Sequence, residues 1–87
     1  MKNIRLADMK CEGYTLGAQM EKIDEEVAEL LEAIDDGTNP QEKNQAIAEE
    51  AFDVMQACYT LLKILKLDVA QANCEHLQKL HGRHCKL

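Results

Sequence analysis

The chain has 87 residues, 46% of them apolar but only 3% aromatic, and a formal net charge of −6. A single domain of this size buries a limited core and leans on a metal, disulfides or a partner chain for stability. The negative balance argues against a nucleic-acid backbone or an anionic membrane as the main partner; a single nucleotide remains open, because a bound divalent cation reverses the local field.

The apolar content is aliphatic (Leu, Ala, Ile, Val and Met), which favours helices over strands. One proline, Pro40, and four glycines are too few turn residues for an all-β domain. The N-terminal Met1-Lys2-Asn3-Ile4-Arg5 is basic, but no apolar run follows it, so neither a signal peptide nor a membrane span is expected. A cytoplasmic location is expected, with Cys11, Cys58, Cys74 and Cys85 reduced.

Residues 1–14 are mixed and interrupted by Gly13; they read as an arm or short helix ahead of a domain over 15–87. A first helix is expected from Thr15, as cap, to Asp36. Leu16, Met20, Ile23, Val27, Leu30 and Ile34 form one apolar stripe with helical period, and Asp35-Asp36-Gly37-Thr38 supplies the stop. Asn39-Pro40, with Glu42 three residues after the asparagine, predicts a capped second helix reaching about Leu65. Ile47, Ala51, Val54, Met55, Cys58, Leu61, Leu62 and Leu65 make its broad apolar face, with Ala46, Ala57 and Ile64 well off it. A third helix runs from Asp68, as cap, to His81, with Gly82 as its end and Ala70, Cys74, Leu77 and His81 as buried candidates. The fold class is all-α: an antiparallel hairpin with a third helix laid across it. Ala46, Ala57 and Ile64 would stand exposed on a lone chain, so a homodimer or homotetramer completing a four-helix-type bundle is expected.

Five acidic residues carry the functional signal. With Ile23 as the centre of the first stripe, Glu26 lies roughly 60° and Glu29 roughly 120° to the same side. They are three apart and neighbours on one face, while Glu25 points further out. On the second helix Glu50 and Asp53 repeat the spacing, with Ala46 and Ala57 beside them, small residues that let another helix approach. Counted from the turn, Glu29 and Glu26 lie roughly 12–17 Å back and Glu50 and Asp53 roughly 17–21 Å along, levels that nearly coincide in an antiparallel hairpin. Carboxylates brought together in a partly dry groove must take up protons or bind a cation. An all-oxygen set suits hard Mg²⁺ or Mn²⁺. Glu-rich helix faces are more often simply solvated; the matching depths set these residues apart.

The pattern Glu25-Glu26-Val27-Ala28-Glu29, a twenty-residue spacer and Glu50-Ala51-Phe52-Asp53, followed by Lys79-Leu80-His81-Gly82-Arg83, resembles the MazG-like all-α nucleoside-triphosphate pyrophosphohydrolases over roughly residues 15–84. The resemblance implies Mg²⁺ ligation by Glu26, Glu29, Glu50 and Asp53, with Glu25 as a further ligand or the base that orients water. It also implies Lys79 and Arg83 on phosphate oxygens. Gln78 stands where the family often has an acidic or amide residue before the lysine, and Asn73 is expected to supply that role from the previous turn. Lys22, one turn before Glu26, is a second phosphate-binding candidate. The implied reaction is water attack at the α-phosphorus of a nucleoside triphosphate, releasing monophosphate and pyrophosphate.

The runner-up is phosphoribosyl-ATP pyrophosphohydrolase, which shares fold and acidic motifs. A non-enzymatic acidic helical adaptor explains charge, length and stripes but not the matching depths. Cys74, His76, His81, His84 and Cys85 crowd the C-terminus without a standard zinc spacing, and Cys74 reads as a small buried residue. Phe52 and Tyr59 share a flank of the second helix and read as subunit packing, against the sharper alternative that one of them, or Tyr14, stacks on a base.

Overall fold

The computed structural model describes residues 5–8, 10, 13–36 and 39–82, which form three helices and no strand. Helix α1 spans Leu16–Asp35, α2 Pro40–Ile64 and α3 Val69–His81. Each begins where a side-chain oxygen satisfies otherwise unpaired backbone donors. Thr15 Oγ1 accepts from the Ala18 amide at 3.1 Å, Asn39 Oδ1 from the Gln41 and Glu42 amides at 3.0 and 3.1 Å, and Asp68 Oδ1 from the Gln71 amide at 3.0 Å. Pro40 fills the first helical position of α2. The expected stop at Gly37-Thr38 lies outside the described residues; Asp36 closes α1 in extended conformation.

Helix α2 ends in a motif that the sequence does not advertise. Lys66 takes a left-handed φ of 57°, its amide donates to Lys63 O at 3.0 Å, and the Leu67 amide donates back to Leu62 O at 3.1 Å. This is the Schellman arrangement, in which glycine usually holds the left-handed position.

Helices α1 and α2 pack along their lengths as an antiparallel hairpin, and α3 makes at most marginal contact with either. The radius of gyration is 15.2 Å, where a compact domain of this length would measure about 12 Å. The third helix therefore stands off the hairpin rather than lying across it. Its expected buried residues, Ala70, Cys74, Leu77 and His81, are all exposed. The reason is that nothing among the described residues covers that face.

The hairpin interface also differs from the expected stripes. On α1 it is centred on Gln19, Ile23, Glu26, Leu30 and Ala33, rotated away from Leu16, Met20, Val27, Leu31 and Ile34, which are exposed. On α2 the deepest residues are Ala57 and Thr60, whereas Cys58 and Leu65 are exposed. Ala57 was expected to stand off the core; it is 5% exposed, and Ala46 and Ile64 are half-buried. Small side chains let the α1 backbone approach this flank. The uncovered apolar surface is thus the outer face of α1 and the face of α3.

The arm runs beside α2 rather than forming a helix at residues 5–8. The Ala7 amide donates to Gln56 Oε1 at 2.6 Å and Ala7 O accepts from Gln56 Nε2 at 2.9 Å. The Tyr59 hydroxyl donates to Asp8 Oδ1 at 3.1 Å and Lys63 pairs with the same carboxylate at 3.3 Å. Tyr59, read above as subunit packing, holds this arm instead. The Tyr59 hydrogen bond, then Lys63, holds the Asp8 carboxyl below its usual range, and Asp8 in turn raises the Tyr59 phenol.

Two outcomes follow from these contacts. Lys66→Gly removes a left-handed penalty of about 1 kcal/mol and should raise the melting temperature by several degrees; an unchanged or lower value contradicts the assignment. A depressed Asp8 pKa stabilises the fold above the unfolded carboxylate value, and that contribution is lost as pH falls through the folded value. Tyr59→Phe should move the Asp8 midpoint upward in an NMR titration, and no movement would mean that the phenol does not hold it.

Candidate metal centre

The hairpin brings four carboxylates to one place. Glu26 and Glu29 of α1 and Glu50 and Asp53 of α2 each offer an oxygen, and these atoms all lie within 4.8 Å of one another. Helical periodicity puts each pair on one flank, and the antiparallel register puts the flanks at one level. Glu26 is buried, Glu50 half-buried, and Glu29 and Asp53 exposed. The sequence had Glu26 on the edge of the stripe; the rotated interface takes it inside.

Charge balance in the cluster is incomplete. Lys22 Nζ pairs with Glu26 Oε1 at 2.7 Å across one turn, and that hydrogen bond holds the Glu26 carboxyl below its usual range against the opposing effect of burial. The Lys22 ammonium is raised by the same contact. Glu29 goes the other way. The Glu26 charge first, then a hydrogen bond shared with Glu26, then burial and Glu50, raise the Glu29 carboxyl. One cation cannot satisfy four carboxylates this close together.

Two oxygens carry the test of what the cluster fits. Glu26 Oε2 and Glu50 Oε2 are buried and have no hydrogen-bond partner. An ionised carboxylate has only acceptors to offer, so it needs a donor or a cation. Among the described residues no sulfur or imidazole joins the set, and an all-oxygen group of mixed burial fits a hard divalent cation.

The other sequence candidates are placed differently. Glu25 is exposed on α1 and outside the four-carboxylate group. Asn73 lines a shallow groove with Leu62, Val69, Ala70, Ala72 and His76, away from the cluster. Lys79 is exposed on the last turn of α3, and it lines neither groove nor cluster. Arg83, His84 and Cys85 lie outside the described residues. Among the described residues, therefore, Lys22 is the candidate cation that stands at the carboxylates.

A cavity of about 510 Å³ opens beside them. Glu26 and Asp53 border it at one end together with Lys22. Gly13, Tyr14, Gln19, Gln56, Ala57 and Thr60 line it toward the open end of the hairpin. Gln19 and Thr60 are 6% and 4% exposed, and neither drew notice in the sequence. The signal was present: Gln19 interrupts the apolar side of α1, and Thr60 interrupts that of α2.

A sequence profile of the MazG nucleotide pyrophosphohydrolase domain matches residues 15–87, which takes in all three helices and the four carboxylates. No curated protein and no solved structure matches the chain. No described helix is long and apolar enough to cross a membrane. Members of the matched family generally use a divalent metal, and the acidic cluster is of the kind that would hold one. The chain belongs to the MazG nucleotide pyrophosphohydrolase domain family.

Proposed function

We propose that the chain hydrolyses a nucleoside triphosphate to the monophosphate and pyrophosphate, with Mg²⁺ (or Mn²⁺) held by Glu26, Glu29, Glu50 and Asp53. The observation that carries this reading is the meeting of four carboxylates, two with buried unpartnered oxygens, at the mouth of a nucleoside-sized cavity. When bound, the cation would neutralise triphosphate charge and make water more acidic. Glu25, exposed one residue before Glu26, is the base: its carboxylate takes the proton of the attacking water. The water oxygen bonds to the α-phosphorus, the bond to the α–β bridging oxygen breaks, and that oxygen leaves with pyrophosphate. Lys22 would exchange Glu26 for a phosphate oxygen, since its ammonium lies at the same edge of the cavity.

Further cations would come from a second copy. Asn73, Lys79 and, by resemblance alone, Arg83 belong to the phosphate tail in this reading, and α3 does not reach the cluster of its own hairpin. The open faces of α1 and α3, which include Met20, Leu31, Ile34 and Leu77, give a homodimer or homotetramer its apolar contact. The mostly acidic surface and the single nucleotide pocket suit a small substrate better than a nucleic acid or a membrane, and a cytoplasmic setting with its pool of triphosphates fits the reaction.

Mg²⁺ at tenfold excess over its Kd should stabilise the native state by about 1.4 kcal/mol, several degrees in melting temperature. Asp53→Ala should abolish that response and lower turnover by about a hundredfold or more. Its metal-free melting temperature should hold or rise, because one repelling charge is gone. An unchanged response to Mg²⁺ in the unmodified protein contradicts the metal assignment. With pyrophosphatase omitted, the direct product should be pyrophosphate; orthophosphate would place the cut between the β- and γ-phosphates and overturn the reading.

A further inference from the structure

The cavity continues well beyond the carboxylates, and its far end has a chemistry of its own. Gln19 lies seven residues before Glu26, and Thr60 seven after Asp53, each about 10 Å along its helix. That spacing is about the reach from an α-phosphate through the ribose to a base. Gln19 Nε2 donates to Ala57 O at 2.8 Å, which fixes the amide orientation, because only the nitrogen can face a carbonyl. The carbonyl oxygen of Gln19 is left without a bond to any described residue, although the residue is 94% buried, with 6% exposed. Thr60 Oγ1 accepts from Gln56 Nε2 at 3.1 Å and retains its own hydrogen to donate. Gln56 is itself pinned at both ends of its amide by Ala7. The far end therefore offers an acceptor oxygen open to the cavity, on the otherwise buried Gln19, and the hydroxyl of the buried Thr60, between alanine walls, with Tyr14 also in the lining. Among the described residues Lys22 is the one cation in the lining, and it sits at the carboxylate end.

We propose that this end of the cavity binds the substrate's base, with Gln19 Oε1 accepting a base N–H and the Thr60 hydroxyl donating to a neighbouring acceptor. The site thereby selects nucleotides with a neutral, unsubstituted base and rejects phosphoribosyl-ATP. This deepens the hydrolase reading and rests on it for the word substrate. The physical ground is the cost of stranding charge. Phosphoribosyl-ATP carries a second ribose phosphate on its adenine ring, and that phosphate would enter a pocket end where the described lining has no cation. A neutral base leaves neither Gln19 nor Thr60 unpaired, which is the kind of contact that discriminates best.

Two near-isosteric variants, Gln19→Leu and Thr60→Val, test the assignment, with melting curves to show that each folds. Common ribo- and deoxyribonucleosides are titrated in EDTA while the Gln19 side-chain amide and the Thr60 backbone amide are followed by NMR. Steady-state rates are measured with Mg²⁺ on the same bases as triphosphates and on phosphoribosyl-ATP. The expected result is nucleoside-dependent shifts at both residues, about a tenfold loss of binding in each variant and a matching rise in KM. Preference among bases narrows, while the Mg²⁺-induced rise in melting temperature persists. Folded variants with unchanged base preference, or faster turnover of phosphoribosyl-ATP than of any simple triphosphate, overturn the proposal. The two readings fail separately. Nucleoside shifts at Gln19 with no turnover would sink the reaction but support the pocket; turnover with no shifts and unaltered variants would sink the pocket alone.

Discussion

The energetic constraint on this small domain is the negative charge gathered between α1 and α2. A helical hairpin normally closes on aliphatic side chains, yet here Ala57 is the only buried apolar residue among those described, beside Gln19, Glu26 and Thr60. Burying a carboxylate is unfavourable unless it is paired and hydrogen-bonded. Lys22 meets one oxygen of Glu26 and leaves the other, together with one of Glu50, without a partner. The raised Glu29 carboxyl records the same unresolved repulsion. A divalent cation at this point would turn the principal destabilising feature of the hairpin into a cross-link between its two helices. Metal binding and folding are then linked properties of the same four side chains.

The second constraint is lack of cover. Among the described residues, nothing packs on the outer face of α1 or on most of α3. A helix that has given its most buried flank to carboxylates and a glutamine needs another surface for its leucines. This links the polar interior to the proposed assembly: the side chains that would hold cation and base displace the aliphatic stripe outward, where a second copy can bury it. It also fits the place of Lys79, exposed on α3 and outside the lining of the carboxylate cavity, since α3 belongs to the uncovered part of the molecule.

Much of this was legible in the sequence, for identifiable reasons. Caps at Thr15, Asn39 and Asp68 are local hydrogen-bonding choices, so the helix starts could be read directly. Period and rise put Glu26 and Glu29, and Glu50 and Asp53, on single flanks at nearly one level, so the four could meet if those flanks faced each other, as they do. Periodicity could not give the rotation of the hairpin. The aliphatic stripe is broader than one interface; Ala46 and Ala57 lie off it, yet they are the small residues beside Glu50 and Asp53 that the sequence marked as letting another helix approach, and Ala57 is buried there. The left-handed turn at Lys66, without a glycine to mark it, and the pairing of the arm with Gln56 and Tyr59 depend on contacts remote in sequence. The cavity was invisible for a related reason: Gln19 and Thr60 acquire meaning only when two helices face each other.

The central claim, that these four carboxylates form one cation site, is tested most directly by titrating Mn²⁺ into the isotopically labelled protein and following paramagnetic line broadening. The account predicts saturable broadening focused on Glu26, Glu29, Glu50 and Asp53 and fading along both helices, competed away by Mg²⁺ and lost in Glu50→Gln. Broadening spread evenly over the acidic surface, including Glu21, Glu32 and Asp35, or unaffected by Glu50→Gln, would contradict it.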